Sequence, residues 1–127
     1  MSALVVVDTS IWIDFFRGVP LSELETALGH ALVVVPPIVV SELLSAPLST
    51  RRRADLEALL RDLPLCDISF DHWSRVGALR ARLRKRGISM STPDAHVAQC
   101  AIDADAALWT RDAIFSSVAR LAGLRLL

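Results

Sequence analysis

The stretch "VVVDTSIWIDFF", residues 5–16, decides how the rest of the chain is read. Its valines run without polar alternation, the pattern of a strand covered on both faces in a parallel sheet. The run stops at Asp8, and bulky apolar residues at helical spacing begin almost at once. A buried strand that delivers a carboxylate to its own end has two uses. Asp is among the preferred helix N-caps, and it is also an oxygen ligand for a hard cation. One acid alone does not separate them.

The same alternation continues outward. Leu4 to Val7 is read as a strand and Ser10 to Arg17 as a helix that ends before Gly18 and Pro20. A short helix from Leu21 to Ala27 precedes a second buried strand, "LVVV" at 32–35. Pro36-Pro37 open a helix through Leu44, stopped by Pro47. Ser49 or Thr50 caps a helix from about Arg51 to Leu63, and "LCDIS" at 65–69 reads as a short strand. Asp71 to Arg86 is the longest helix, with Trp73, Val76, Leu79 and Leu83 along one side and Gly87 as its stop. Thr92-Pro93 start a small-residue helix, "DAHVAQCAIDA". "ALW" at 107–109 is a strand, Ala113 to Leu121 a helix and "LRLL" at 124–127 a last strand. Strands alternating with helices predict a single domain over 1–127, a three-layer α/β/α sandwich with a mainly parallel central sheet.

Composition narrows the function classes. At 127 residues and 53% apolar the chain has the size of one ordinary domain. Fourteen basic and fourteen acidic residues give a formal charge of zero, so any contact with a polyanion must be local. The longest stretch without Asp, Glu, Lys or Arg, Thr26 to Ser41, carries Gly29, Pro36 and Pro37 and is shorter than a spanning helix. No membrane segment or secretion signal is expected, and the predicted location is cytoplasmic. Cys66 and Cys100 have no paired zinc spacing and are expected to be buried small hydrophobes. His30, His72 and His96 are expected at surface or half-buried positions without a catalytic role.

Four acids fall where strands hand over to helices, the edge at which open parallel sheets bind ligands. Asp8 ends the first strand, and Asp112 lies three residues past Trp109. Asp94 occupies the first turn of its helix, and Glu42 stands in the apolar context "PPIVVSELL". Each also has a structural reading: Asp8 and Asp112 as caps, Asp94 as a complement to the helix dipole, Glu42 as a partly exposed residue beside a core stripe. Together they suit Mg²⁺, which takes one or two carboxylates directly and keeps several waters. A cation also removes the mutual repulsion of clustered carboxylates.

"VVVDTSIW", "VVSELL", "STPDAHVAQCA" and "LWTRD" resemble, in order and spacing, the acidic motifs of PIN-domain ribonucleases, specifically the VapC toxins of toxin–antitoxin pairs. The resemblance spans essentially the whole chain. It implies a toxin that is an Mg²⁺- or Mn²⁺-dependent endoribonuclease, held in check by a cognate VapB-type antitoxin, leaving 5′-phosphate and 3′-hydroxyl ends. It implies Asp8 and Asp94 as main metal ligands, with Glu42 and Asp112 completing the acidic pocket. Thr9, Ser10 and Thr110 become hydroxyls that orient those acids. Ile114 stands where family members often carry a further acid before a Phe, which puts a strong second-metal site in question.

Contact with RNA is expected from Arg80, Arg82, Arg84, Lys85 and Arg86 in "RARLRKR", and from Arg111 beside the presumed site. The alternatives are a solvated helix face, or an ion pair in the case of Arg111. Trp12, Phe15 and Phe16 are too many large apolar groups for one face of a short helix. Some of that surface is expected to serve a homodimer or the antitoxin. Two other readings compete: a catalytically weak PIN-like protein-binding module, and a phosphoryl-transfer domain of another α/β class. The first predicts loss of an acid, yet all four remain. The second wants a receiver-type late lysine, or an acid where Ser10 stands.

Overall fold

A computed structural model describes residues 3–127 and bears out the predicted α/β alternation. The elements are β1 (Val5–Val7), α1 (Thr9–Phe16), α2 (Ser22–Gly29), β2 (Val33–Val34), α3 (Pro37–Leu44) and α4 (Thr50–Arg61). They continue with α5 (Phe70–Lys85), α6 (Thr92–Asp103), β3 (Ala107–Trp109), α7 (Ile114–Ala122) and β4 (Arg125–Leu126). The sheet has the order β2-β1-β3-β4, and every pairing in it is parallel. Val6 and Val7 are fully buried, as a strand covered on both faces requires.

This strand order fixes where the functional edge lies. From β1 the chain moves outward to β2, then returns past β1 to β3 on its other side. The reversal makes the crevice beyond the carboxyl ends of β1 and β3 the topological switch point, where the connections leave in opposite directions. Val7 pairs with Trp109, and the Asp8 N–H donates to the Trp109 carbonyl at 2.9 Å. The residues following both strands therefore emerge side by side.

Caps set several helix boundaries. Ser49, Ser69 and Ser91 each accept from a backbone N–H within the first turn of α4, α5 and α6. Gly87 ends α5 in the left-handed region (φ +76°), with the Ile88 N–H returning to the Leu83 carbonyl at 3.0 Å. That is the hydrogen bond of a Schellman ending.

Three expectations need correction. "LCDIS" forms no strand: it makes one parallel bridge, Leu65 to Val35, while Leu65 and Ile68 remain exposed. A single bridge at a sheet margin leaves the rest of the segment without a ladder to join. On α5 the buried stripe is His72, Val76, Leu79 and Leu83, with Trp73 on the exposed side. Those positions follow the helical repeat better than a stripe through Trp73, but His72 is not an apolar residue and its burial is invisible to a hydrophobic pattern. His96 is likewise buried, 1% exposed, where a surface or half-buried position was expected.

The aromatic question in α1 resolves by residue. Trp12 is fully buried, Phe15 half-buried and Phe16 41% exposed. Trp12 stacks on Phe16 with ring centroids 5.8 Å apart, so the exposed ring continues outward from the core. Trp12→Ala is expected to lower unfolding free energy by about 3–5 kcal/mol in urea denaturation. Phe70→Ala, at a position 84% exposed, is expected to stay within about 0.5 kcal/mol of wild type.

Candidate metal-binding carboxylate edge

Asp8 fills the cap role that the sequence left open. Its backbone is extended (φ −71°, ψ 157°) as the N-cap of α1, and Oδ1 accepts from the Thr9 N–H at 2.9 Å. Oδ2 meanwhile accepts from the Thr110 hydroxyl at 2.7 Å and the Ser10 hydroxyl at 3.4 Å. Thr110 reaches Asp8 because each follows one member of the Val7–Trp109 pair. The same Thr110 oxygen accepts from the Asp112 N–H at 3.0 Å, and Asp112 Oδ1 accepts from the Ile114 N–H at 3.0 Å. Asp112 thus shapes the entry to α7, where the nominal cap, Ala113, offers no side-chain acceptor.

Glu42 is carried on α3 opposite α1, and the two helices are in contact. The Thr9 hydroxyl donates to its Oε1 at 3.1 Å. Partial burial is the largest influence raising the Glu42 carboxyl above its ordinary range; Thr9 opposes it, and the charges of Asp8 and Asp94 add to it. The residue as a whole is exposed, so its carboxylate stands in reach of solvent beside the core stripe of Val39 and Leu43. Asp94, in the first turn of α6, is also raised, first by burial and then by Asp112 and Asp8, with Ser91 opposing. Asp8, Glu42, Asp94 and Asp112 therefore share one electrostatic neighbourhood.

Among the described residues no lysine, arginine or histidine forms an ion pair with any of these acids. Carboxylates that raise one another and lack a counter-charge are a donor set that fits a hard divalent cation. Arg111, the nearest candidate by sequence, is turned to Asp14 instead, Nε to Oδ2 at 2.7 Å. Asp14 thereby holds this guanidinium beside the edge.

The basic run on α5 divides. Arg80 Nε donates to the Met90 carbonyl at 3.0 Å, and Arg82 donates to the Leu121 carbonyl. Those two side chains fasten α5 to neighbouring segments, while Arg84, Lys85 and Arg86 are exposed at its C-terminal end. Two larger cavities lie away from the acids. One of about 640 Å³ is lined by Ile13, Phe16, Leu43, Leu48, Leu56 and Leu59, among others. The other, about 460 Å³, lies between α3 and α4 and reaches Leu65. No described helix is long and apolar enough to cross a membrane.

Sequence reasoning missed a second group of potential ligands, His72, His96 and Cys100, all buried at the α5–α6 seam. Its members come from separate segments with no motif spacing between His72 and the other two. The only local signal is the four-residue step from His96 to Cys100.

Comparison with known proteins agrees with this geometry. The family model for the PIN domain matches residues 5–121. VapC ribonuclease Mb1587 of Mycobacterium bovis is 28% identical over 130 aligned positions, covering 96% of each chain. Ribonuclease VapC11 of Mycobacterium tuberculosis shows the same identity and coverage. In structure, the chain resembles a protein in the DNA-bound VapBC complex of Salmonella typhimurium, with a TM-score of 0.81 and 21% identity. It also resembles one in VapBC2 of Rickettsia felis bound to a promoter DNA fragment, with a TM-score of 0.79 and 22% identity. Both alignments cover 98% of this chain and 97% of the other. With the model match covering nearly the whole chain and the acids gathered at the switch point of a parallel sheet, the chain belongs to the PIN domain family.

Proposed function

We propose that the protein is the toxin of a VapBC-type toxin–antitoxin pair and an endoribonuclease that hydrolyses RNA phosphodiesters with Mg²⁺ or Mn²⁺. The observation that carries this reading is the uncompensated set of Asp8, Glu42, Asp94 and Asp112 at the sheet's switch point. The ribonuclease relatives and toxin–antitoxin neighbours support the substrate class and the partner.

Asp8 and Asp94 are assigned as the principal metal ligands, with Glu42 and Asp112 completing the acidic edge. A cation held there supplies an easier ionisation of water near neutral pH and offsets charge that develops on the scissile phosphate. The protein's part is to keep the carboxylates aimed. Thr110 and Ser10 fix one oxygen of Asp8, leaving it a single orientation. Thr9 holds Glu42 across the α1–α3 contact. The Asp14–Arg111 pair holds a guanidinium near the edge, where it is suited to a substrate phosphate. RNA approach rests on Arg111 and on exposed Arg84, Lys85 and Arg86, because Arg80 and Arg82 are already engaged.

The antitoxin is assigned to the groove of Ile13, Phe16, Leu43, Leu56 and Leu59. It is mainly apolar, with Arg17, Arg52 and Asp55 also in its lining, and takes in the C-terminal part of α1. Ile13→Glu is expected to abolish co-elution with the antitoxin in size-exclusion chromatography while the variant's far-UV circular dichroism stays native.

Purified protein freed of antitoxin is expected to cleave RNA only with added Mg²⁺ or Mn²⁺. Asp8→Asn and Asp94→Asn should reduce cleavage to background and remove growth arrest on expression; unchanged cleavage would contradict the assignment. Thr110→Val leaves the ligands but frees Asp8, and a loss of about 10–100-fold in metal affinity or rate is expected. RNA-end sequencing after brief expression reads activity and target together.

An acid whose folded-state pKa is raised binds more protons folded than unfolded. Glu42 and Asp94 therefore reduce the stability of the metal-free protein as pH rises through their ionisation range. Asp94→Asn is expected to raise the metal-free Tm at neutral pH and to abolish the further rise caused by Mn²⁺. A metal-free Tm lowered by that substitution would count against the repulsion argument.

A further inference from the structure

The seam between α5 and α6 is apolar along most of its length, with Val76, Leu79 and Leu83 of α5 facing the alanines of α6. At one end the pattern changes. His72, His96 and Cys100 are 0%, 1% and 1% exposed, and one potential ligand atom of each lies within 4.8 Å of the others. His72 Nε2 is 2.7 Å from His96 Nδ1, and Cys100 Sγ is 3.7 Å from either ring nitrogen of His96. A core does not gain by hiding polar rings that an aliphatic side chain of similar volume would replace without desolvation.

We propose that His72, His96 and Cys100 form a buried site for a borderline or soft transition-metal ion such as Zn²⁺, distinct from the carboxylate edge. Two imidazoles and one thiol are a donor set for Zn²⁺, three protein ligands with a fourth position left open, and not for Mg²⁺, which takes oxygen. At zinc bond lengths a tetrahedral ion holds a nitrogen and a sulfur about 3.6 Å apart and two nitrogens about 3.3 Å apart. The His96–Cys100 separation already matches. The two rings need to part by about 0.6 Å as the ion takes the place of the proton they share.

The surroundings favour ligation. The Asp103 carboxylate meets His72 Nδ1 at 3.0 Å, which directs Nε2 inward as the free lone pair. Arg75 Nε and Gln99 Nε2 each donate to the same carboxylate at 2.9 Å, fixing it in place. A carboxylate behind a histidine in this way orients the ring and strengthens it as a ligand. Trp73 stacks on His96 with centroids 4.8 Å apart and planes at 15°, covering the site from solvent. Binding releases a proton: the Cys100 thiol gives one to solvent as its sulfur–metal bond forms. The ion would tie α5 to α6.

The test is Co²⁺ substitution of the intact protein after chelator treatment under reducing conditions. The expected result is a single tightly held equivalent with thiolate-to-cobalt charge-transfer absorption and the intense visible bands of tetrahedral cobalt. These should persist in Asp94→Asn, vanish in Cys100→Ser and His72→Gln, and be bleached by Zn²⁺. Asp103→Asn should weaken binding by about 10–100-fold while keeping the spectrum. Absence of thiolate charge transfer in the wild-type protein would overturn the proposal without recourse to variants that fail to fold. So would a spectrum that disappears in Asp94→Asn but survives in folded Cys100→Ser.

Discussion

The backbone hydrogen bond from Asp8 to Trp109 is the constraint on which the acidic edge depends. It closes the β1–β3 ladder one residue beyond the last strand pair, and so sets Thr110 opposite Asp8. From that register follow the Thr110–Asp8 contact, the return of Thr110 to the Asp112 N–H, and the entry of α7 from Asp112. A slip of one residue in a strand turns its side chains to the opposite face and breaks all of these at once. The valines of β1, buried on both faces, do not by themselves choose a register, but a slip that drew Asp8 into the place of Val7 would bury its carboxylate.

Such an edge opposes folding in the absence of a cation. Glu42 and Asp94 are raised by partial burial and by their acidic neighbours, and no described basic side chain relieves them. The rest of the molecule compensates through ordinary packing, with β1, Trp12, Leu108 and Phe115 fully or nearly fully buried around the strands that deliver the acids. The near-neutral overall composition fits a protein whose charge pattern matters locally. Asp14 illustrates this: by occupying Arg111 it keeps a guanidinium beside the edge without neutralising the acids themselves.

What could be read from the sequence follows from how far each signal reaches. Continuous valines, Pro-Pro, the Ser49 or Thr50 cap and Thr92-Pro93 act within a few residues, so the strands β1 and β3, the starts of α3, α4 and α6 and the ending of α5 at Gly87 were legible. Asp8, Asp94 and Asp112 were legible because each follows a strand or sits in a first helical turn, whereas Glu42, deep in α3, was marked only by its apolar context. The segment at 65–69 failed because a strand exists only through its partner, and here the partner offers a single bridge. The engagement of Arg80 and Arg82 with carbonyls 10 and 39 residues away has no local signature. Neither has the choice of His72 over Trp73 as the buried residue, since hydrophobic patterning selects the larger apolar ring.

Helix α6 joins these separate features through its own geometry. Residues two apart on a helix point to nearly opposite sides, and residues four apart to nearly the same side. Asp94 can therefore face the acidic edge while His96 and Cys100 face α5, and the alanines between them allow the helix to lie close against β1 and β3. The Ser91 cap fixes where α6 begins, and with it the height of Asp94 above the sheet. The polar anchor at His72 and Asp103 fixes its rotation. A carboxylate in a first helical turn is only as well aimed as the helix behind it. On this account the buried histidines serve the acidic edge by holding α6 in place, though none of them approaches the acids.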